Sequence, residues 1–450
     1  MKTVSVVALG CPKNTVEAEY LLGMLGNKGY FITVNAQEAD IIIIHTCSFI
    51  YDARTESEKC INDMLLLKKK KDVKVYVSGC LPQLLKEEML KKFPLIDGCA
   101  GTGALDKIPA LISGKKTENL FTPGGLNASK YRVLSSSLPS AYLKIAEGCS
   151  HSCSFCIIPK LRGKFKSRSV ESLCDEAECL SEAGVRELIL IAQDTSAYGL
   201  DLYKSFSLDK LLSRLAKIKG LKWIRLMYAH PSSITDKVLD VFEEYKNICS
   251  YMDIPIQHIS ANMLAAMKRP LGTRRIIEKI KKRLPGISLR TSIISGFPGE
   301  TEADVRELAG FISEGHFLYA GVFQYSDQKE APSSKLSKHI SAETAEARRI
   351  EIENAQYRVF ESKIRSLKNT ETEFFAEKCF KKGEKHLTAG RTAFQAPEID
   401  GTALIVSGKA LKRGGFYKAV IKGGEGYNIK AELSRNEPAL PRERKNELSE

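Results

Sequence analysis

Apolar residues in the first part of the chain gather in short dense runs separated by helix-period segments. Val4–Leu9, Asp40–Thr46 and Val73–Ser78 are largely apolar without strict alternation, which is how strands read when a parallel sheet is covered on both faces. Helical patterns fill Val16–Lys28 and Ala53–Lys70 between them, so this part is expected to be a doubly wound α/β domain. Pro12 and Pro82 fall just past two of the strands, where loops are expected. A second series follows. Ala141–Ala146, Glu187–Gln193, Trp223–Tyr228, Met252–Gln257, Ser288–Ile294 and Tyr319–Tyr325 read as strands. Each leads into a helical pattern, around 171–183, 208–218, 236–246, 273–283, 302–314 and 342–366. Six strand–helix repeats predict a partial (β/α)6 barrel. Near the end, Glu373–Cys379, Leu387–Thr392, Thr402–Val406 and Tyr417–Ile421 are short and separated by Gly or charged turns, the pattern of a small antiparallel β-barrel.

These elements divide the 450 residues into an N-terminal domain (1–115), a linker (116–138), a central core (139–367), a terminal barrel (368–435) and a tail (436–450). The linker is rich in Gly, Ser, Lys and Thr and contains Pro123-Gly124-Gly125 and Ser135-Ser136-Ser137. The tail is polar and charged, a composition expected to be disordered. No apolar run approaches the ~18 residues that span a bilayer. Val4–Leu9 followed by Gly10–Cys11 mimics a lipoprotein signal. It is shorter than the ~7–15 residues of a signal core, so it is read as a first strand and the protein as cytoplasmic, with no membrane partner.

Charge and cysteine content change this picture. A net charge of +14 suits a phosphate-rich partner such as RNA or a ribosome. Twelve cysteines without an export signal point to metal ligands or reactive groups rather than a disulfide framework. Cys149, Cys153 and Cys156 lie on one short segment directly after the strand ending near Ala146. Closely spaced thiolates on a loop can wrap one iron–sulfur cluster, and three protein ligands leave one iron open. Zinc, with His151 as fourth ligand, is the alternative. Cys11, Cys47 and Cys80 are far apart in sequence, yet each follows the carboxyl end of a predicted parallel strand. In open α/β sheets that edge carries the ligand crevice, so the three mark either a second metal site or ordinary buried cysteines. Cys60, Cys99, Cys174, Cys179, Cys249 and Cys379 have no such placement and read as core residues or bystanders.

Polar residues also fall at predicted barrel strand ends, where active sites gather. Gln193-Asp194-Thr195 ends the second strand, and Pro255-Ile-Gln257-His258 ends the fourth. Gly296-Phe-Pro-Gly299-Glu300-Thr301 follows the fifth and opens a helix, where backbone N–H groups favour an anion. His230 and His258 read equally as loop histidines or site residues.

The Cys-x3-Cys-x2-Cys loop after a first barrel strand resembles the radical S-adenosylmethionine superfamily. With a preceding three-cysteine domain and a trailing β-barrel, residues 1–435 resemble its methylthiotransferases. Several stretches are similar to the branch that modifies a ribosomal protein. They are Leu9-Gly-Cys-Pro-Lys-Asn14, Ala192-Gln-Asp-Thr195 with Tyr198-Gly199, Asp253-Ile-Pro-Ile-Gln-His258 and Gln395-Ala-Pro-Glu-Ile-Asp-Gly401. The tRNA branch usually has Gln-Met in place of Pro12-Lys13.

The resemblance implies two 4Fe-4S clusters. One, on Cys149, Cys153 and Cys156, would bind S-adenosylmethionine through its open iron and break it to a 5′-deoxyadenosyl radical. The other, on Cys11, Cys47 and Cys80, would supply sulfur that a second S-adenosylmethionine methylates. The product would be a β-methylthio-aspartate on small-subunit ribosomal protein S-twelve. Gln193, Gly296, Gly299 and Glu300 are expected to contact S-adenosylmethionine, and no catalytic side chain is singled out. Expected partners are the ribosomal protein or the small subunit, RNA through a TRAM-like terminal barrel, and an electron donor such as a flavodoxin or ferredoxin. The alternatives are a tRNA methylthiotransferase acting on isopentenyladenosine beside the anticodon, and a non-catalytic metal-binding RNA module. Two departures stand out. His45 occupies the place where the family commonly has Asn before its second cysteine. The terminal barrel carries 11 Lys/Arg against 8 Asp/Glu over residues 370–434, a balance that suits phosphate more than a basic ribosomal protein.

Overall fold

The computed structural model describes residues 2–118, 120–126, 128, 131–135 and 139–435. The tail at 436–450, and Ser136-Ser137 of the linker, lie outside the described residues. Two compact units are present, Met1–Gln356 and Tyr357–Glu450.

The first unit holds two parallel sheets. One contains β1 (Thr3–Ala8), β2 (Phe31–Ile32), β3 (Ile41–Thr46), β4 (Lys74–Gly79) and β5 (Gly98–Ala100), in the order β2-β1-β3-β4-β5. Every residue of β3 is buried, which explains its unbroken isoleucine run: with both faces covered there is no side for polar residues. Strand order reverses between β1 and β3, and the carboxyl edge at such a reversal is where open α/β sheets bind ligands. The register keeps that edge level, since Ala8 lies opposite His45, His45 opposite Ser78 and Thr46 opposite Gly79. Pro12 and Pro82 are not in loops. They sit in the first turns of helices Pro12–Asn27 and Cys80–Leu85, where a missing N–H costs no hydrogen bond.

The second sheet is built from β6 (Ser140–Lys144), β9 (Glu187–Ile191), β10 (Trp223–Leu226), β11 (Ile248–Asp253), β12 (Ser288–Ser295) and β13 (Phe317–Gln324), side by side in that order and all parallel. It is the expected six-stranded open barrel. A small antiparallel ribbon, β7 (Ala146–Glu147) and β8 (Lys166–Ser167), flanks the cysteine loop. The fourth core strand lies earlier than its expected place at Met252–Gln257, because Pro255 cannot donate to a ladder and Gln257 adopts φ +69°, keeping only an isolated bridge to Ile293. Three of the crossover helices begin on side-chain caps. Ser169, Thr235 and Thr301 each accept a backbone N–H, and Asp304 completes a capping box with Thr301. Leu173, Leu188, Leu211, Ile224, Ile280, Leu289 and Phe311 belong to one buried core, so helix and strand periodicities converge on the same apolar interior.

The second unit carries a closed barrel of β14 (Glu371–Lys382), β15 (Lys385–Thr392), β16 (Ala403–Ser407), β17 (Phe416–Glu425) and β18 (Asn428–Leu433). Its β18 was not among the expected strands. It follows a turn at Gly426 and pairs parallel with β16, so the barrel is not wholly antiparallel. Phe374, Phe375, Ile405, Ala419, Ile421 and Ile429 are fully buried in this unit. No helix among the described residues is long and apolar enough to cross a membrane.

Candidate active site

Cys11, Cys47 and Cys80 follow β1, β3 and β4 at the level carboxyl edge of the first sheet. The loops are tied together from within. Asn14 Nδ2 donates to Leu9 O at 2.8 Å and to Thr46 O at 3.0 Å. Cys47 N donates to Ser57 Oγ at 3.1 Å, and that hydroxyl donates back to Cys47 O at 2.7 Å. Burial, reinforced by the Cys11 thiol, raises Cys47 above the usual thiol range. Burial pushes Cys80 up to about 12 against the pull of Arg162, with Cys47 and Cys11 adding to the rise. The three sulfurs therefore feel one another. Gly10 has φ +87°, and a Cβ there would lie 2.5 Å from Cys47 Cβ and 3.0 Å from its sulfur. Gly10→Ala is accordingly expected to cost at least about 1–3 kcal/mol, from left-handed strain and displacement of Cys47, read as a lower urea midpoint.

Cys149, Cys153 and Cys156 lie on the loop between β7 and β8. The loop is anchored by Cys149 N to Gly163 O (3.1 Å), Cys156 N to Cys153 O (3.1 Å) and Ser154 Oγ to Ala266 O (2.7 Å). Burial pushes Cys149 up to about 11 and Cys156 up to about 12, and neighbouring thiols add to both. Donors already point at the sulfurs: Ile158 N lies 3.4 Å from Cys156 Sγ and Arg269 Nη1 3.8 Å from Cys153 Sγ. Arg162 Nη2 lies 3.5 Å from Cys80 Sγ in the other set. Donors aimed at thiols that burial otherwise keeps neutral suit sulfurs that become thiolate ligands.

Among the described residues, His151–Asp194–His230 and Glu278–Glu314–His316 bring three potential ligand atoms within 4.8 Å of one another, and neither cysteine set does. A structural zinc at ~2.3 Å from each sulfur puts its ligand sulfurs about 3.8 Å apart. Neither set therefore gathers all three of its sulfurs as tightly as a structural zinc does. His151, the fourth zinc ligand considered, is turned elsewhere. Its Nε2 meets Asp194 Oδ2 at 2.7 Å and its ring stacks on His230 with centroids 3.9 Å apart. Burial would raise Asp194, but the bonds from His151 and Ser196 outweigh it and hold the carboxyl low. Burial, with the positive charge of Arg269 nearby, drives His230 down to about 3. Nothing in the sequence paired these two histidines. A four-iron cluster held by three thiolates supplies, when loaded, the one-electron cleavage of S-adenosylmethionine.

Between the two cysteine sets runs a buried charge network. Lys144 Nζ contacts Glu17 Oε1 at 2.7 Å and Glu147 Oε2 at 2.8 Å. Arg162 contacts Glu17 Oε1 at 2.6 Å, Glu147 Oε2 at 3.1 Å and Asn14 Oδ1 at 2.6 Å. His45 joins through Glu17 Oε2 (2.9 Å) and Ser78 Oγ (2.8 Å), so the departure from Asn is absorbed here. None of Glu17, His45, Lys144, Glu147 and Arg162 is more than 2% exposed. Burial would raise Glu17, yet Arg162 and Lys144 hold it well below the usual carboxylate range. The next residue, Gly163, accepts from Cys149 N, so one helix end touches both cysteine sets.

The expected cofactor contacts are placed unevenly. Gln193 Nε2 donates to Glu147 Oε1 at 2.9 Å, while its buried Oε1 has no partner, an acceptor waiting for a donor. Gly296 and Gly299 take φ +73° and +85°. The Gly296 N–H does not face an external anion, because Glu300 Oε2 accepts it at 2.9 Å together with Arg348 Nη1 at 2.9 Å. Glu300 is 3% exposed and folds back into its own turn. The sequence reading missed Lys13. Its Nζ stands 3.1 Å from the centroid of the Tyr228 ring, and burial draws it down to about 8.

Comparison with known proteins follows this geometry. A family described as "Uncharacterized protein family UPF0004" matches residues 3–101, the radical SAM superfamily matches 143–312, and the TRAM domain matches 372–433. Radical SAM membership implies a 4Fe-4S cluster and S-adenosylmethionine. The chain is 62% identical over 431 residues to the ribosomal protein uS12 methylthiotransferase RimO of Endomicrobium trichonymphae, covering 96% of this chain and 98% of that one. It is 40% identical over 444 residues to the protein of the same name from Clostridioides difficile, covering 96% and 99%. Among solved structures, the radical S-adenosylmethionine methyltransferase TsrM of Kitasatospora setae superposes with a TM-score of 0.55 at 16% identity, over 72% of this chain and 73% of that one, a likeness of fold. With sequence agreement across all three matched segments, the chain belongs to the family of ribosomal protein uS12 methylthiotransferases, enzymes of the radical SAM superfamily.

Proposed function

We propose that this enzyme places a methylthio group on the β-carbon of an aspartate of ribosomal protein uS12. One observation carries the reading. Two sets of three thiols lie in one compact unit, with Arg162 bonded to a sulfur of one set and its neighbour Gly163 to the backbone of the other. Cys149, Cys153 and Cys156 hold the cluster that binds S-adenosylmethionine, and Cys11, Cys47 and Cys80 hold a second 4Fe-4S cluster that supplies sulfur. Gln193 offers its free acceptor to the cofactor, the Gly296–Gly299 turn lines it, and Glu300 keeps that turn in shape. In this reading residues 1–115 carry the sulfur-donating set, 139–367 the radical core and 368–435 a barrel that meets RNA of the small subunit. The electron comes from a flavodoxin or ferredoxin in the cytoplasm. The test is to delete the gene and weigh the products. Ribosomal protein uS12 should lose the mass of one methylthio group while tRNA nucleosides stay unchanged. An unchanged uS12 with an altered tRNA nucleoside would overturn the proposal in favour of the tRNA branch.

A further inference from the structure

Lys13 is 8% exposed, and a buried ammonium ordinarily has a carboxylate beside it. Among the described residues none is bonded to it, and its ammonium lies against the face of Tyr228. The carboxylates within electrostatic reach, Asp253 and Glu147, are already engaged. Asp253 pairs with Arg290 at 3.0 Å, and Glu147 with Lys144 and Arg162 at 2.8 and 3.1 Å. Glu17 and Glu147 together balance Lys144 and Arg162, and Asp253 balances Arg290. Among the carboxylates the Lys13 charge is left over, and the Cys11 thiol is the strongest of the neighbours that favour it.

Its position gives that surplus a use. Lys13 is in the first turn of helix Pro12–Asn27, two residues from Cys11. Tyr228, just past β10, has φ +59° and a backbone N–H held by Asp253 Oδ2 at 3.1 Å. The ammonium therefore stands where the carboxyl edge of the first sheet, beside Cys11, meets a strand end of the core.

We infer that Lys13 binds the side-chain carboxylate of the substrate residue, so that the site selects an aspartate over the corresponding amide. This presupposes the uS12 reading above. A cation buried on an aromatic face recognises an anion by charge and strips it of water, and hydrogen bonds to charged partners are the strong ones. Glu147 and Asp253 are each already paired with a cation, so neither sets an uncompensated charge against an incoming carboxylate.

The test uses the full chain with its clusters reconstituted and two fluorescent peptides. One is the uS12 peptide found to carry the modification, and the other has asparagine at the modified position. Fluorescence anisotropy gives a Kd for each. The wild type should prefer the aspartate peptide by roughly tenfold or more. Lys13→Met keeps an apolar stem on the tyrosine face and should erase that preference by weakening the aspartate peptide alone, and Lys13→Arg should restore part of it. Two results would overturn the inference. One is a wild type without preference. The other is a Lys13→Met protein that keeps its preference while the reduction potential of a cluster shifts, which would make Lys13 a counter-charge for the Cys11 set. Either leaves the uS12 assignment standing, because the mass of uS12 in the deletion strain decides that separately.

Discussion

Cys153→Ala should reduce 5′-deoxyadenosine formation with dithionite to background, whereas Cys47→Ala should leave that cleavage intact and stop methylthio transfer. The two thiols sit in different sets on different sheets, so each variant removes a ligand from one and spares the other. Cys153 is the middle ligand of a loop of eight residues, and two thiolates cannot fix a cubane with a single open iron. Iron per chain should fall by about half in each variant if each set holds one four-iron cluster. Full product formation by Cys47→Ala would end the assignment of a second cluster. Absence of both a visible cluster band and 5′-deoxyadenosine in the wild type after anaerobic reconstitution would instead favour a non-catalytic metal-binding module.

Arg162→Met should destabilise the first unit by about 3–5 kcal/mol, the cost of leaving a buried charge uncompensated. Without the guanidinium, Lys144 and the His45 ring are left to face Glu17 and Glu147, both almost fully buried. Urea unfolding followed by the fluorescence of Trp223, the single tryptophan and buried in β10, reads this unit directly. Adding Glu17→Gln should recover part of the loss, because the two side chains are in direct contact and their effects are not additive. The sign with pH follows from Glu17. Its folded carboxyl is held below the ordinary value, so its contribution is present above about pH 4.3 and is lost as the pH falls from there. If Arg162→Met unfolds within about 1 kcal/mol of the wild type, the network is ornamental to stability.

The architecture was legible because the strands are long, apolar and regularly spaced. The β3 run of four isoleucines has one sensible reading, and the level ends of β1, β3 and β4 made three distant cysteines neighbours. Shorter features escaped. β2 and β5 have two and three residues, and helix Ile158–Arg162 has five, too few to show a period. At the site, sequence spacing found cysteines because thiols are rare and chemically marked. It could not find Glu17, Lys144, Arg162 or the stacked His151–His230 pair, whose partners come from separate elements and whose residue types are common on surfaces. The part that Glu300 plays in its own turn was hidden for a related reason. A Gly-rich turn before a helix advertises backbone donors, and only three dimensions show that the turn's own carboxylate has taken one.

The charge network also bears on how such a chain can change over generations. Sequence families treat residues 3–101 and 143–312 as separate inheritable pieces, yet Glu17 belongs to one while Lys144 and Arg162 belong to the other. A lineage that exchanged either piece for a foreign one would inherit a buried charge without its counterpart, and substitutions at these positions should therefore travel together.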